Sequence, residues 1–106
     1  MRTLTITVQT AEGLHVKPAS QLFMAARDFN CRITASCGKA QADCKNILEL
    51  LNLGAAGGER LTLNFEGPDE TEAESAFCRL AEESEEFSQL SIQLNYDLHL
   101  LSGRFR

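Results

Sequence analysis

No stretch of this sequence is long and apolar enough to cross a bilayer, and Met1-Arg2-Thr3-Leu4-Thr5-Ile6 lacks the apolar run of a secretory leader. The expected location is therefore cytoplasmic, with no membrane insertion. An excess of positive charge is also missing: the formal net charge of −5 argues against bulk attraction to nucleic acid or to an anionic membrane. The cysteines Cys31, Cys37, Cys44 and Cys78 include no CxxC pair, so no metal site is expected. In a reducing compartment they read as free thiols that behave as small buried hydrophobes. Gly54, Gly57 and Gly58 are not followed by GK[ST], which makes them a flexible turn before a strand rather than a phosphate loop. No cofactor is expected.

What is present is enough apolar material for one core. At 106 residues and 43% hydrophobic content, the chain fits one domain with one main site. Leu4, Ile6 and Val8 alternate with threonines and predict a strand. Ala19, Leu22, Phe23, Ala26 and Phe29 recur at helical spacing, predicting a helix from about Val16 to Asp28, with Pro18 tolerated only in its first turn. Cys31, Ile33, Ala35 and Cys37 alternate again, and Gly38-Lys39 turns them into a second short strand from Ala40 to Asp43. Asn46 is a good N-cap for Ile47 to Leu53. Leu61, Leu63 and Phe65 mark a fourth strand, after which Gly67-Pro68-Asp69 leads into a helix with Ala73, Ala76, Phe77 and Leu80 inward. The order β-α-β-β-α-β-α predicts an α+β fold: an open sheet with its helices on one face.

Gly13-Leu14-His15-Val16-Lys17-Pro18-Ala19-Ser20 joins the first strand to the first helix. His15 is thus expected near the helix N-cap, where free backbone N–H groups attract anions. Neutral imidazole has a nucleophilic nitrogen at cytoplasmic pH, and the N–P bond it forms is labile enough to hand a phosphoryl group onward. Lys17 adds a cation that can balance phosphoryl charge, and Pro18 fixes the turn. The other histidine, His99, lies in a strand-like tail with neither feature beside it.

This octapeptide resembles the active-site signature of the HPr family, the histidine-containing phosphocarriers of the bacterial sugar phosphotransferase system. The resemblance spans roughly residues 3 to 87 and extends to Lys45-Asn46-Ile47-Leu48-Glu49-Leu50-Leu51-Asn52-Leu53-Gly54, which looks like the family's short second helix. It implies an open-faced β-sandwich of four antiparallel strands and three helices. It further implies that His15 takes a phosphoryl group on Nδ1 from phosphorylated enzyme I and gives it to a IIA domain, with Val16, Lys17 and Pro18 forming the phosphate-binding turn. Such a protein is a transfer intermediate with no small-molecule turnover of its own. The alternative is a regulatory, HPr-like protein-binding module with little carrier flux.

Two positions depart from the family pattern. Lys17 stands where arginine is usual, which keeps the charge but loses the planar fork. Asn46 stands where the family's regulatory serine, when present, falls, and it cannot be phosphorylated. Leu14, Ile47, Leu48 and Leu51 are expected to form an apolar docking patch for partner proteins, whereas Glu82-Glu83-Ser84-Glu85-Glu86 reads as a solvated helix end. The carrier domain is assigned to residues 1–87 and a C-terminal extension to 88–106. Within that extension Leu90, Ile92, Leu94, Tyr96, Leu98 and Leu100 alternate strictly. That pattern predicts an added strand on a sheet edge, its own or that of a second copy in a homodimer.

Overall fold

The computed structural model describes residues 1–88; the alternating segment from Leu90 to Leu100 lies outside the described residues. The element order is β1 (Arg2–Val8), α1 (Val16–Ala26), β2 (Arg32–Cys37), β3 (Ala40–Asp43), α2 (Ile47–Leu51), β4 (Arg60–Glu66), α3 (Glu70–Glu83) and β5 (Phe87–Ser88). The strands form one antiparallel sheet in the order β3-β2-β4-β1-β5. The fold is thus the expected α+β open sheet, with five strands where four were expected. The fifth is short: Phe87 pairs with Val8 and Ser88 with Thr7. The boundary placed after Phe87 from the sequence therefore lies inside a strand.

Period-two alternation decides which side of the sheet is covered. Leu4, Ile6, Val8, Ile33, Ala35, Leu61, Leu63 and Phe65 are all buried, and they form one core cluster with the inner stripes of the three helices. Register sets these residues side by side, with Leu63 between Leu4 and Ala35 and Leu61 opposite Ile6. Phe65 then meets Phe77 of α3 edge to face, with ring centroids 5.2 Å apart and planes at 73°. Such a pair adds about 0.5–1.5 kcal/mol beyond the area it buries.

The helices are shorter and rotated slightly from expectation. α1 ends at Ala26, with Arg27 as its C-cap, so Phe29 packs half-buried from the following loop. α2 stops at Leu51 rather than Leu53 because Asn52 caps it and Gly54 adopts φ +78°. In α3 the buried stripe is Ala73, Phe77 and Ala81, each one turn from the next. Ala76 and Leu80 flank that stripe and remain half-exposed, because a helix of this length seats one line of residues deepest on a sheet.

The start of α3 is also a clamp. Asp69 does not cap its own helix; its carboxylate accepts the N–H groups of Asn30 and Cys31 at 2.8 Å each. Those bonds, led by that from Asn30, hold its pKa below the usual carboxylate value.

Candidate functional site

The loop between β1 and α1 is built on backbone contacts with a second loop, residues 54–59. Thr10 Oγ1 donates to the Gly13 carbonyl at 2.7 Å, the Gly13 N–H returns to the Thr10 carbonyl at 3.0 Å, and the Leu14 N–H reaches the Ala55 carbonyl at 2.9 Å. Gly13 sits at φ +78°, and a Cβ there would lie 2.4 Å from the Ala55 oxygen. Gly57 approaches the Thr10 carbonyl as closely: its Cβ would lie 2.3 Å away. Of the glycines read as a flexible turn, Gly57 thus lies, with Ala55 and Ala56, in the surface against which the His15 loop is seated.

His15 follows as the N-cap of α1, in extended conformation at φ −99°, ψ −162°, and its ring makes no capping hydrogen bond. The first N–H groups of the helix, on Val16 and Lys17, have no acceptor within the helix by virtue of their position. Pro18 has no N–H to offer and is buried, so what it contributes to this turn is conformational only. No acidic side chain occupies the first turn of α1. The His15 side chain is 39% exposed, with Nε2 3.9 Å from Glu12 Oε1. At that distance the contact is electrostatic rather than a hydrogen bond.

Lys17 lies with its ammonium Nζ 3.4 Å from Glu86 Oε2. Glu86 was grouped from sequence with a solvated helix end, but it is 8% exposed. The reason is the turn after α3. Ser84 leaves the helix in extended conformation, its hydroxyl donates to Gln21 Oε1 and accepts the Glu86 N–H, and the Glu86 carbonyl accepts the Gln9 N–H. The chain is thereby folded back beside the His15 loop.

The apolar patch needs correction at one position. Leu14 is only 6% exposed, because the hydrogen bond from its N–H to Ala55 draws the residue into the core. Ile47 and Leu51 are half-buried against the core, and Leu48 is 67% exposed. Val16, at 65%, is a second exposed apolar residue, which the sequence reading placed only in the phosphate turn. α1 and α2, which carry these side chains, pack against each other.

Asn46 caps α2 as expected, its side chain accepting the N–H groups of Leu48 and Glu49 at 3.1 and 3.2 Å. Glu49 ties the cap down further, accepting from the Asn46 side-chain Nδ2 and from the Asp43 backbone N–H. Cys31 and Cys44 are buried, and burial raises their thiols to about 11 and about 12 respectively. Among the described residues no cluster of three or more His, Cys, Asp or Glu side chains is placed to hold a metal ion, and no helix is long and apolar enough to cross a membrane.

Comparison with known proteins agrees with this geometry. Residues 3–83 match the family model for the PTS HPr component phosphorylation site. The phosphocarrier protein HPr of Lysinibacillus sphaericus is 36% identical over 83 residues, covering 78% of this chain and 94% of that protein. The HPr of Treponema pallidum is 34% identical over 76 residues, covering 72% and 86%. Among solved structures, HPr-C-His from Thermoanaerobacter tengcongensis superposes with a TM-score of 0.71 at 32% identity, covering 77% of this chain and 92% of that one. The chain belongs to the HPr family, the phosphocarriers of the phosphotransferase system.

Proposed function

We propose that His15 receives a phosphoryl group on Nδ1 from phosphorylated enzyme I and donates it to a IIA domain, in the cytoplasm. The observation that carries this reading is the uncapped histidine at the N-terminus of α1, beside two backbone N–H groups that the helix leaves unused. In the forward step the Nδ1 lone pair attacks phosphorus. The N–P bond forms as the donor's bond to phosphorus breaks, and the bonding electrons return to the donor atom. Nε2 keeps its proton throughout, and the Glu12 carboxylate lies on that side of the ring. The Val16 and Lys17 N–H groups are suited to receive phosphoryl oxygens, and the Lys17 ammonium offsets their charge. Donation to the acceptor is the same step reversed.

The partner surface in this reading consists of the exposed parts of Val16 at the start of α1 and of Ile47, Leu48 and Leu51 on α2. Residues 1–87 with Ser88 would form the carrier unit, and the remainder to residue 106 an extension. The test is intact-mass measurement after incubation with phosphoenolpyruvate and enzyme I. One phosphoryl group should add to the parent chain and none to His15→Ala. Equal labelling of the variant would refute the assignment.

A further inference from the structure

β1 has β4 along the whole of one side and only the two residues of β5 on the other. Two bonds at its end show which way its backbone groups point. Val8 donates its N–H to the Glu59 carbonyl beside β4, whereas Gln9 donates to the Glu86 carbonyl on the β5 side. Successive residues of a strand direct their N–H and C=O groups to opposite sides, so Arg2, Leu4 and Ile6 serve β4 while Thr3, Thr5 and Thr7 aim the other way. Of these three, Thr7 meets Ser88. Among the described residues no strand pairs with Thr3 or Thr5 on that side, and a sheet edge of this kind is a template for a further strand. The chain is already aimed along it. β5 is antiparallel to β1, so from Ser88 the path leads away from the His15 loop toward Arg2. Phe87 opposite Val8 and Ser88 opposite Thr7 set a register in which Leu90 would meet Thr5 and Ile92 would meet Thr3.

We propose that residues 89–93 of the same chain continue β5 along the edge of β1 in this register, filling the places beside Thr5 and Thr3. The same chain is the favoured occupant because Ser88 is already in the ladder, so the next residues reach the edge with no loop to close. A second copy would have to bring its strand there at the cost of association. The register also decides the faces. Phe87 and Val8 are both buried on the helix side, so Gln89, Ser91 and Gln93 turn toward that side, where Arg2 holds Glu74 of α3. Leu90 and Ile92 turn to the opposite, helix-free face. There they stand beside the β-branched Thr5 and Thr3, whose own neighbours across β4 are Thr62 and Asn64. The apolar row of the extension is therefore laid on the face without helices, remote from the surface that carries Val16 and Leu48.

The experiment is amide hydrogen exchange of the full-length chain, read residue by residue by NMR, with prolines placed at alternate positions. Leu90→Pro removes an N–H aimed at the Thr5 carbonyl, and it should speed exchange at Thr3 and Thr5 roughly five- to tenfold, the loss of about one hydrogen bond. Ser91→Pro removes an N–H that points away from β1, where an edge strand tolerates proline, and should leave both amides at the parent rate. Leu4 and Ile6 bond to β4 and serve as the control: their protection should persist in both variants. Should Leu90→Pro release them as well, Ile92→Pro, farther from Phe87, reads Thr3 in its place. Release by Ser91→Pro alone would mean a register shifted by one residue, and release by both variants or by neither would mean that no strand bonds this edge as stated. Each of these results overturns the proposal. Sedimentation separates the remaining case: a parent dimer that Leu90→Pro converts to monomer would assign the edge to a second copy and overturn the pairing within one chain.

Discussion

Replacing Gly13 with alanine tests whether the seam between the His15 loop and residues 54–59 holds the site in place. Two costs arise. The left-handed conformation at φ +78° strains an L-residue by about 1–2 kcal/mol. The new Cβ would lie 2.4 Å from the Ala55 carbonyl oxygen, which is backbone and cannot swing aside, so the loops must part. Parting them loosens the 2.9 Å bond from the Leu14 N–H to that oxygen, worth about 1 kcal/mol. The sum is about 2–3 kcal/mol, against a total stability of about 5–15 kcal/mol for a domain of this kind. Urea unfolding followed by circular dichroism measures the loss, and phosphorylation kinetics on the still-folded fraction measure the effect on His15. Gly13→Ala should lower the urea midpoint and slow phosphoryl uptake together. A variant within about 0.5 kcal/mol of the parent, the scatter of ordinary surface substitutions, would show that the seam is not a structural support for the site.

Leu48→Glu should slow phosphoryl transfer to partners and leave the thermal midpoint within the scatter of surface changes, because Leu48 is 67% exposed. Normal transfer kinetics in the folded variant would place the docking surface elsewhere. Alkali should destabilise the fold through the buried thiols. The folded values of Cys31 and Cys44, about 11 and about 12, lie above the ordinary 9.0. Folded chains therefore hold these protons more tightly than unfolded ones, a contribution that is full below the ordinary value and is lost as pH rises through the folded values. Urea midpoints should fall above about pH 9, and Cys44→Ala should flatten that fall; an unchanged slope would show that the thiol is not responsible.

How much of this was legible in the sequence depended on the range of the interaction. Leu4, Ile6 and Val8, or Leu61, Leu63 and Phe65, announce their burial by local alternation, because the pleat alone decides which side of a strand they face. Asn46 is as plain: a helix N-terminus needs an acceptor within reach, and the residue type at that position supplies it. The motif around His15 was readable as chemistry, since a histidine before a proline-fixed first turn implies exposed N–H groups. Leu14 was misplaced because its burial comes from a hydrogen bond to Ala55, distant in the chain. Glu86 was missed for the same reason: its acidic neighbours suggest solvent, and only the return of the chain through Ser84, Gln21 and Gln9 encloses it. Both errors concern loops, where no periodicity records the far side of a contact.

The seating of the His15 loop on Ala55 and Gly57 has a consequence for quality control. The histidine, its helix end and the backbone that supports them come from opposite halves of the described chain, so the site comes into being only when the sheet has closed. The capacity to take up a phosphoryl group is then itself a report on folding. A chain that has lost the β1–β4 pairing still contains His15 but not the environment that the proposed acceptor role requires. Damaged or half-formed copies would thus withdraw from the phosphoryl relay without any separate device to exclude them.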